Sequence, residues 1–215
     1  TITPTISPFV ASLPKPSPRG GPAWELAFLF PLQGDWTEEE YLALDANKLV
    51  ELSDGCLDVL PMPTIFHQRI VDYLRDLLKA FVAAHLKGEV RVAPLPVHLW
   101  SGKFREPDII YFQPRRVKDI HGQPEGADLV VEVVSEGEEN RQRDLVTKPQ
   151  EYAKAGISEY WIVDPQERQI TVLVLEGETY RDHGVFGSGT TAASVLLPGF
   201  STAVDAVFAA GQAHS

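Results

Sequence analysis

The chain has 215 residues, 44% of them hydrophobic and 23% charged, which is ordinary for a soluble globular protein and enough for one domain with a sizeable core. A single cysteine, Cys56, excludes an internal disulfide and a cysteine-rich zinc site, and no apolar run approaches the roughly 20 residues of a membrane span. The net charge of −11 excludes a broadly basic face for gripping phosphates, so any contact with nucleic acid must be local.

Six prolines between Pro4 and Pro22 block regular structure, so residues 1–22 are expected to be a flexible arm. The start lacks a basic leader and a continuous apolar core, so no signal peptide is expected, and a cytoplasmic protein fits best. Residues 23–210 read as one domain and 211–215 as a tail. Trp24–Pro31 is apolar and suits a short strand or an anchoring loop. Thr37 and Glu40 form a T-x-x-E capping box before Tyr41, Leu42 and Leu44, which opens a short helix. Leu49–Leu52 and Cys56–Leu60 flank Asp54-Gly55, a strong hairpin signal.

From Thr64 to Leu86 apolar residues recur at helical spacing, with Gly88 as a stop. Two β segments follow, Val90–Leu99 and Glu106–Phe112, and a loop from Gln113 to Ala127 leads to Asp128–Val134. That run is an apolar, β-branched strand buried on both faces, with Glu132 in its middle. Leu145–Ala155 is helical in composition and ends at Gly156, although Pro149 would kink a helix interior. Glu159–Asp164, Gln169–Leu175 and Thr179–Asp182 read as strands. Val195–Leu197 reads as a last strand, and Ser201 as the cap of a closing helix through Phe208. The order predicts an α/β (α+β) fold with a mixed sheet between helices, including a crossover from Leu129–Val134 through Leu145–Ala155 to Glu159–Asp164.

Three carboxylates lie inside or beside apolar strands: Glu51, Asp108 and Glu132. A buried carboxylate is costly unless it is hydrogen-bonded, paired or metal-bound. Two on neighbouring strands can meet, and at about 4 Å their repulsion is roughly 4 kcal/mol at an effective dielectric near 20. A divalent cation converts that penalty into binding, and oxygen-only ligands favour Mg²⁺ or Mn²⁺. Lys148, on the following helix, suits orientation of an attacking water or neutralisation of a phosphorane. His67, at the start of the long helix, is a further possible ligand, with a structural role the commoner fate of a lone histidine. Lys103, Arg105, Arg115, Arg116, Lys118, Arg141 and Arg143 flank the acidic positions and are candidate DNA contacts, with a solvated rim as the ordinary alternative. No phosphate-binding loop, G-x-S-x-G or dinucleotide fingerprint occurs.

Glu51-Leu52-Ser53-Asp54-Gly55, Pro107-Asp108, Val131–Ser135, Arg143-Asp144 with Lys148 and Tyr152, and Ala155-Gly156-Ile157 followed by Glu159–Asp164 together resemble, in order over about residues 36–208, a bacterial family of putative restriction endonucleases in the PD-(D/E)XK nuclease superfamily. The resemblance implies a restriction-endonuclease-like core, a central mixed sheet flanked by helices, and Mg²⁺-dependent hydrolysis of DNA, often by homodimers. It implies Asp108 and Glu132 as metal ligands and Glu51 as an additional acidic ligand. The superfamily's glutamate-X-lysine would place its lysine at Val134, so Lys148 inherits that role. The rival reading is a catalytically silent binding or assembly module on the same scaffold, which the net charge favours.

Overall fold

The structure is a computed structural model, and the residues described are 31–44 and 49–212. The expectations for residues 1–22 and for the apolar stretch at 24–30 lie outside the described residues.

The local signals build the first elements. Helix α1 (Glu38–Leu42) starts with the capping box: Thr37 Oγ1 accepts from the Glu40 amide at 3.2 Å, and Glu40 Oε2 accepts from the Thr37 amide at 3.0 Å. Strands β1 (Val50–Ser53) and β2 (Cys56–Val59) form the expected hairpin, with Asp54 and Gly55 at φ 50° and 79°. Gly55 is required there. A Cβ would lie 2.3 Å from the Gly34 carbonyl oxygen, which the chain brings in to receive the turn.

Helix α2 (Ile65–His85) buries Ile70, Val71, Leu74, Leu78 and Val82 on one face. Thr64 caps it by accepting from the His67 amide at 3.2 Å. Thr64→Ala is expected to cost about 1 kcal/mol, read as a fall of about 3 °C in a thermal melt.

Two sheets follow. Strands β3 (Glu89–Val92), β4 (Val97–Trp100), β5 (Lys103–Arg105) and β6 (Ile109–Phe112) divide between them, so the two expected β segments become three short strands and β5 forms in the stretch between them. β5 and β4 join the hairpin in a four-stranded sheet ordered β2-β1-β5-β4. β3 and β6 enter the main sheet with β7 (Leu129–Val133), β8 (Glu159–Asp164), β9 (Gln169–Glu176) and β10 (Thr179–Phe186), in the order β10-β9-β8-β7-β6-β3. All pairings there are antiparallel except β7 with β8. That parallel pair needs a helical crossover, which α3 (Glu138–Gln142) and α4 (Lys148–Lys154) supply. β11 (Thr191–Ala193) pairs with β12 (Ser201–Ala203), and α5 (Val204–Gln212) packs beside α2.

The main sheet lies between two cores. Leu129, Val131 and Val133 point to the core shared with α2 and α5, together with Trp161. Val130, Val134 and Tyr160 point to the other core, with Tyr152 of α4. Strand alternation therefore puts Glu132 on the α4 side. Both Tyr160 and Trp161 are core residues, on opposite faces.

Several boundaries differ from expectation. Val195–Leu197 is not a strand: the amides of Val195 and Leu196 each donate at 2.7 Å to Glu159 Oε2, whose carboxylate is fully buried. Ser201 opens β12 instead of capping a helix. Helix α5 reaches Gln212, past the expected end at Phe208, and Gly211 is buried against the Phe66 ring. The helix expected over Leu145–Ala155 begins at Lys148, and Arg143–Thr147 forms a π turn that joins it to α3. In that turn the Lys148 amide donates to the Arg143 carbonyl, five residues back. The wider turn accommodates Pro149, which has no N–H to continue an α-helical ladder.

Candidate active site

The π turn, the start of α4, the end of β7 and strand β1 bring four charged side chains together. Lys148 Nζ lies 2.8 Å from Glu132 Oε1, 3.2 Å from Asp144 Oδ1 and 3.9 Å from Glu51 Oε1. Only 3% of Lys148 is exposed, so the ammonium makes these contacts away from bulk water. Tyr152, one turn beyond Lys148, donates its hydroxyl to Glu132 Oε1 at 2.6 Å. Asp144 and Tyr152 had no individual role in the sequence reading. Their signal was the motif Arg143-Asp144…Lys148…Tyr152, whose spacing puts all three functional groups on the face of the helix that meets Glu132.

Asp108 approaches from the neighbouring strand. β6 and β7 pair Ile109 with Val131, and one step along this register sets Asp108 against Glu132 on the same face. Asp108 Oδ2 accepts from the Val133 amide at 2.7 Å. His67, from the first turn of α2, places Nε2 3.3 Å from Asp108 Oδ2 and 3.1 Å from the Val133 carbonyl oxygen. Asp108, Glu132, Lys148, Asp144 and His67 all line one recess of ≈ 60 Å³.

The electrostatics follow from burial and crowding. Burial pushes the Glu132 carboxyl up, and repulsion from Asp108 and Asp144 adds to it; Lys148 opposes both, and the balance is about 7. Burial disfavours the Lys148 ammonium, yet Glu132, Glu51 and Asp144 together raise it above the ordinary lysine range. Burial likewise opposes a charged His67, and the Asp108 carboxylate overcomes it and raises the imidazole.

Glu51, expected as an additional acidic ligand, lies apart from the recess lining. It is fully buried and accepts from Arg105 Nη1 at 2.6 Å and from the Glu106 amide at 2.9 Å. Burial works against its charge, but Lys148 and Arg105 hold its carboxyl below the usual range. It serves Lys148 and Arg105 as a counter-ion, at 3.9 and 2.6 Å, and β1 pairs with β5, which carries Arg105.

Lys103 and Arg105 are each 3% exposed. Arg105 grips Glu151 of α4 through Nε and Nη2 at 2.7 and 2.9 Å, and Lys103 Nζ reaches the same carboxylate at 2.5 Å. These bonds fasten the small sheet to α4 and leave neither cation facing solvent. Arg115 and Arg116 pair with Asp128, and Lys118 with Glu125. Arg141 pairs with Asp164 in a two-pronged contact at 2.8 and 3.0 Å, and Arg143 lies 3.3 Å from Asp144.

The donor chemistry fits a hard divalent cation. Among the described residues no three His, Cys, Asp or Glu side chains already form a ligand group. Mg²⁺ does not require three, since it is commonly held by one or two carboxylates, retained waters and substrate oxygens. Asp108 and Glu132 offer two carboxylates on one recess, and the crowding that raises Glu132 is what a cation relieves.

A mixed sheet flanked by helices, with an acidic pair and a buried lysine at the end of its parallel strands, defines the restriction-endonuclease-like class. The chain belongs to the Uma2 family, described as "Putative restriction endonuclease", whose model matches residues 38–205. No curated protein matches. Among solved structures, the crystal structure of a putative nuclease belonging to DUF820 from Anabaena variabilis ATCC 29413 shares the fold, with a TM-score of 0.66 and 18% identity over 82% of this chain and 99% of that one. No helix among the described residues is long and apolar enough to cross a membrane.

Proposed function

We propose that the protein is a metal-dependent endonuclease that hydrolyses DNA phosphodiester bonds at the recess formed by Asp108, Glu132 and Lys148. The observation that carries this reading is the 2.8 Å contact between Lys148 Nζ and Glu132 Oε1 on a recess shared with Asp108. The lysine emerges from the helix after the glutamate strand, where it does the work that Val134 cannot do.

Asp108 and Glu132 would hold the cation, Mg²⁺ or Mn²⁺, which would supply polarisation of the scissile phosphate and a lowered pKa for a bound water. Lys148 faces the same space with a permanent positive charge and neutralises charge that develops on the phosphoryl oxygens. His67 bridges Asp108 and the Val133 carbonyl and fixes the aspartate's orientation. Glu51 and Asp144 keep Lys148 charged and in place from behind. One such site cuts one strand, so we propose a homodimer for two-strand breaks. A cytoplasmic location agrees with a chain that uses one cysteine.

Incubation with supercoiled plasmid and Mg²⁺ tests the reading. Wild type is expected to nick the plasmid, and EDTA or Asp108→Asn is expected to stop it. A wild-type protein that leaves both supercoiled plasmid and single-stranded circular DNA intact with Mg²⁺ and with Mn²⁺ contradicts the proposal.

A further inference from the structure

Beside the catalytic recess runs a second, larger groove of ≈ 670 Å³. The two share Pro61, Pro63, His67 and Ser135, so they are continuous. The recess itself has room only for an ion and a few waters or phosphate oxygens. The rest of a nucleotide bound there must lie outside it, and the groove is the adjoining space of nucleotide size.

Its composition is two-sided. The segment after β2 and the first turn of α2 contribute Pro61, Met62 and Phe66. Met62 is 79% exposed, which is unusual for a side chain of this kind at the mouth of a polar site. The opposite elements, α3 and the turn between β8 and β9, contribute Arg141, Gln166 and Arg168. Arg168 is exposed, sits at φ 50°, and carries its guanidinium 5.3 Å above the Phe208 ring, with Asp205 nearby. Arg141 is shared with Asp164. Glu136 is the one carboxylate among the groove's lining residues.

An apolar lip for unstacked bases opposite the exposed Arg168, a cation for phosphate, suits one nucleic-acid strand. It does not suit a duplex, whose bases are stacked inside and whose backbones call for a broad basic face. The chain's net charge is −11, and Arg115, Arg116 and Lys118 are engaged with carboxylates of their own.

From this we infer that the groove seats a single strand of DNA flanking the scissile phosphate, so that the protein prefers single-stranded or frayed substrate to continuous duplex. The inference rests on the nuclease reading for the polarity of substrate and site, and its test is separable from that reading. Anisotropy of a short fluorescein-labelled oligothymidine, with Ca²⁺ in place of Mg²⁺, is compared with a duplex of equal length. Single strand is expected to bind at least about tenfold more tightly than duplex. Arg168→Glu and Met62→Asp, both at exposed positions, are each expected to weaken single-strand binding by about tenfold or more, with a shallower salt dependence for Arg168→Glu and near-normal binding for Arg168→Lys.

Equal binding of the two substrates, or indifference to both variants, overturns the inference. So does a change of oligomeric state in Arg168→Glu with unchanged oligonucleotide affinity, which would make the groove a protein interface. Cleavage of single-stranded circular DNA and of supercoiled plasmid, each with Mg²⁺, measured in parallel separates the two readings: cleavage without strand preference in binding refutes the groove alone, and single-strand preference with neither DNA cut supports the groove while refuting catalysis.

Discussion

Lys148→Ala is expected to abolish DNA cleavage and to destabilise the fold together. The ammonium sits among Glu132, Asp144 and Glu51 with 3% exposure, and its removal leaves three buried carboxylates without their shared partner. Removing one member of a buried ion group costs about 3–5 kcal/mol. In a chain of this size that lowers the melting temperature by roughly 10 °C. Loss of the charge facing the phosphate should lower cleavage by at least about 10²–10³-fold. The stability deficit should shrink as pH falls from 8 to 5, because protonating the stranded carboxylates removes their repulsion. A thermal melt at several pH values reads the first effect, and plasmid nicking reads the second. A variant as stable as wild type at pH 8 would mean that the three carboxylates are not counting on this lysine.

Glu132→Gln is expected to separate the two properties. Its carboxyl titrates at about 7 in the folded chain, against an ordinary value of 4.5. A group raised in this way stabilises the fold fully below about pH 4.5, and that contribution is lost as pH rises through about 7. At pH 8 wild type therefore carries a charge it holds at a cost. Glutamine keeps the oxygen that accepts from Lys148 and Tyr152 and removes the charge, while Asp144 and Glu51 still neutralise the lysine. The variant should be more stable than wild type at pH 8 by on the order of 1–3 kcal/mol, and the difference should vanish near pH 4.5. Cleavage should nonetheless be lost, with metal affinity down by at least the roughly 10–100-fold that even outer partners command. Combining Glu132→Gln with Lys148→Ala should recover part of the lysine variant's stability and none of its activity, which is the coupling expected of groups in contact.

Local chemistry made parts of this protein legible from sequence. The Thr37–Glu40 cap, the Asp54-Gly55 hairpin and the long helix depend on residues a few positions apart, and each forms where its signal lies. Glu132 was legible for a different reason: a carboxylate inside a valine-rich strand must be answered by something. Asp108 followed because a one-step register shift on an adjacent strand is all that brings it near. Lys148 was legible only through the resemblance, since nothing in its own spacing distinguishes it from a surface lysine.

What could not be read depends on how elements meet. Glu51 and Arg105 lie on neighbouring strands of a second sheet, and whether that sheet faces the recess or stands behind it is a matter of packing. Lys103 and Arg105 looked like surface cations because burying them requires Glu151 to arrive from α4, 46 residues beyond Arg105. The π turn at Arg143–Thr147 leaves no mark in a periodicity of 3.6, although Pro149 was its visible trace. Val195–Leu197 looked like a strand because it is apolar, while its amides are taken by the Glu159 carboxylate.

The most direct test of the central claim, that a divalent cation resolves the crowding of Asp108 and Glu132 beside Lys148, is calorimetric titration of Mn²⁺ into the metal-free protein near pH 7. The account predicts binding at one site per chain, accompanied by release of the proton that Glu132 partly retains at that pH, and loss of both signals in Asp108→Asn and Glu132→Gln. Binding that survives both substitutions, or no binding at millimolar Mn²⁺, would contradict it.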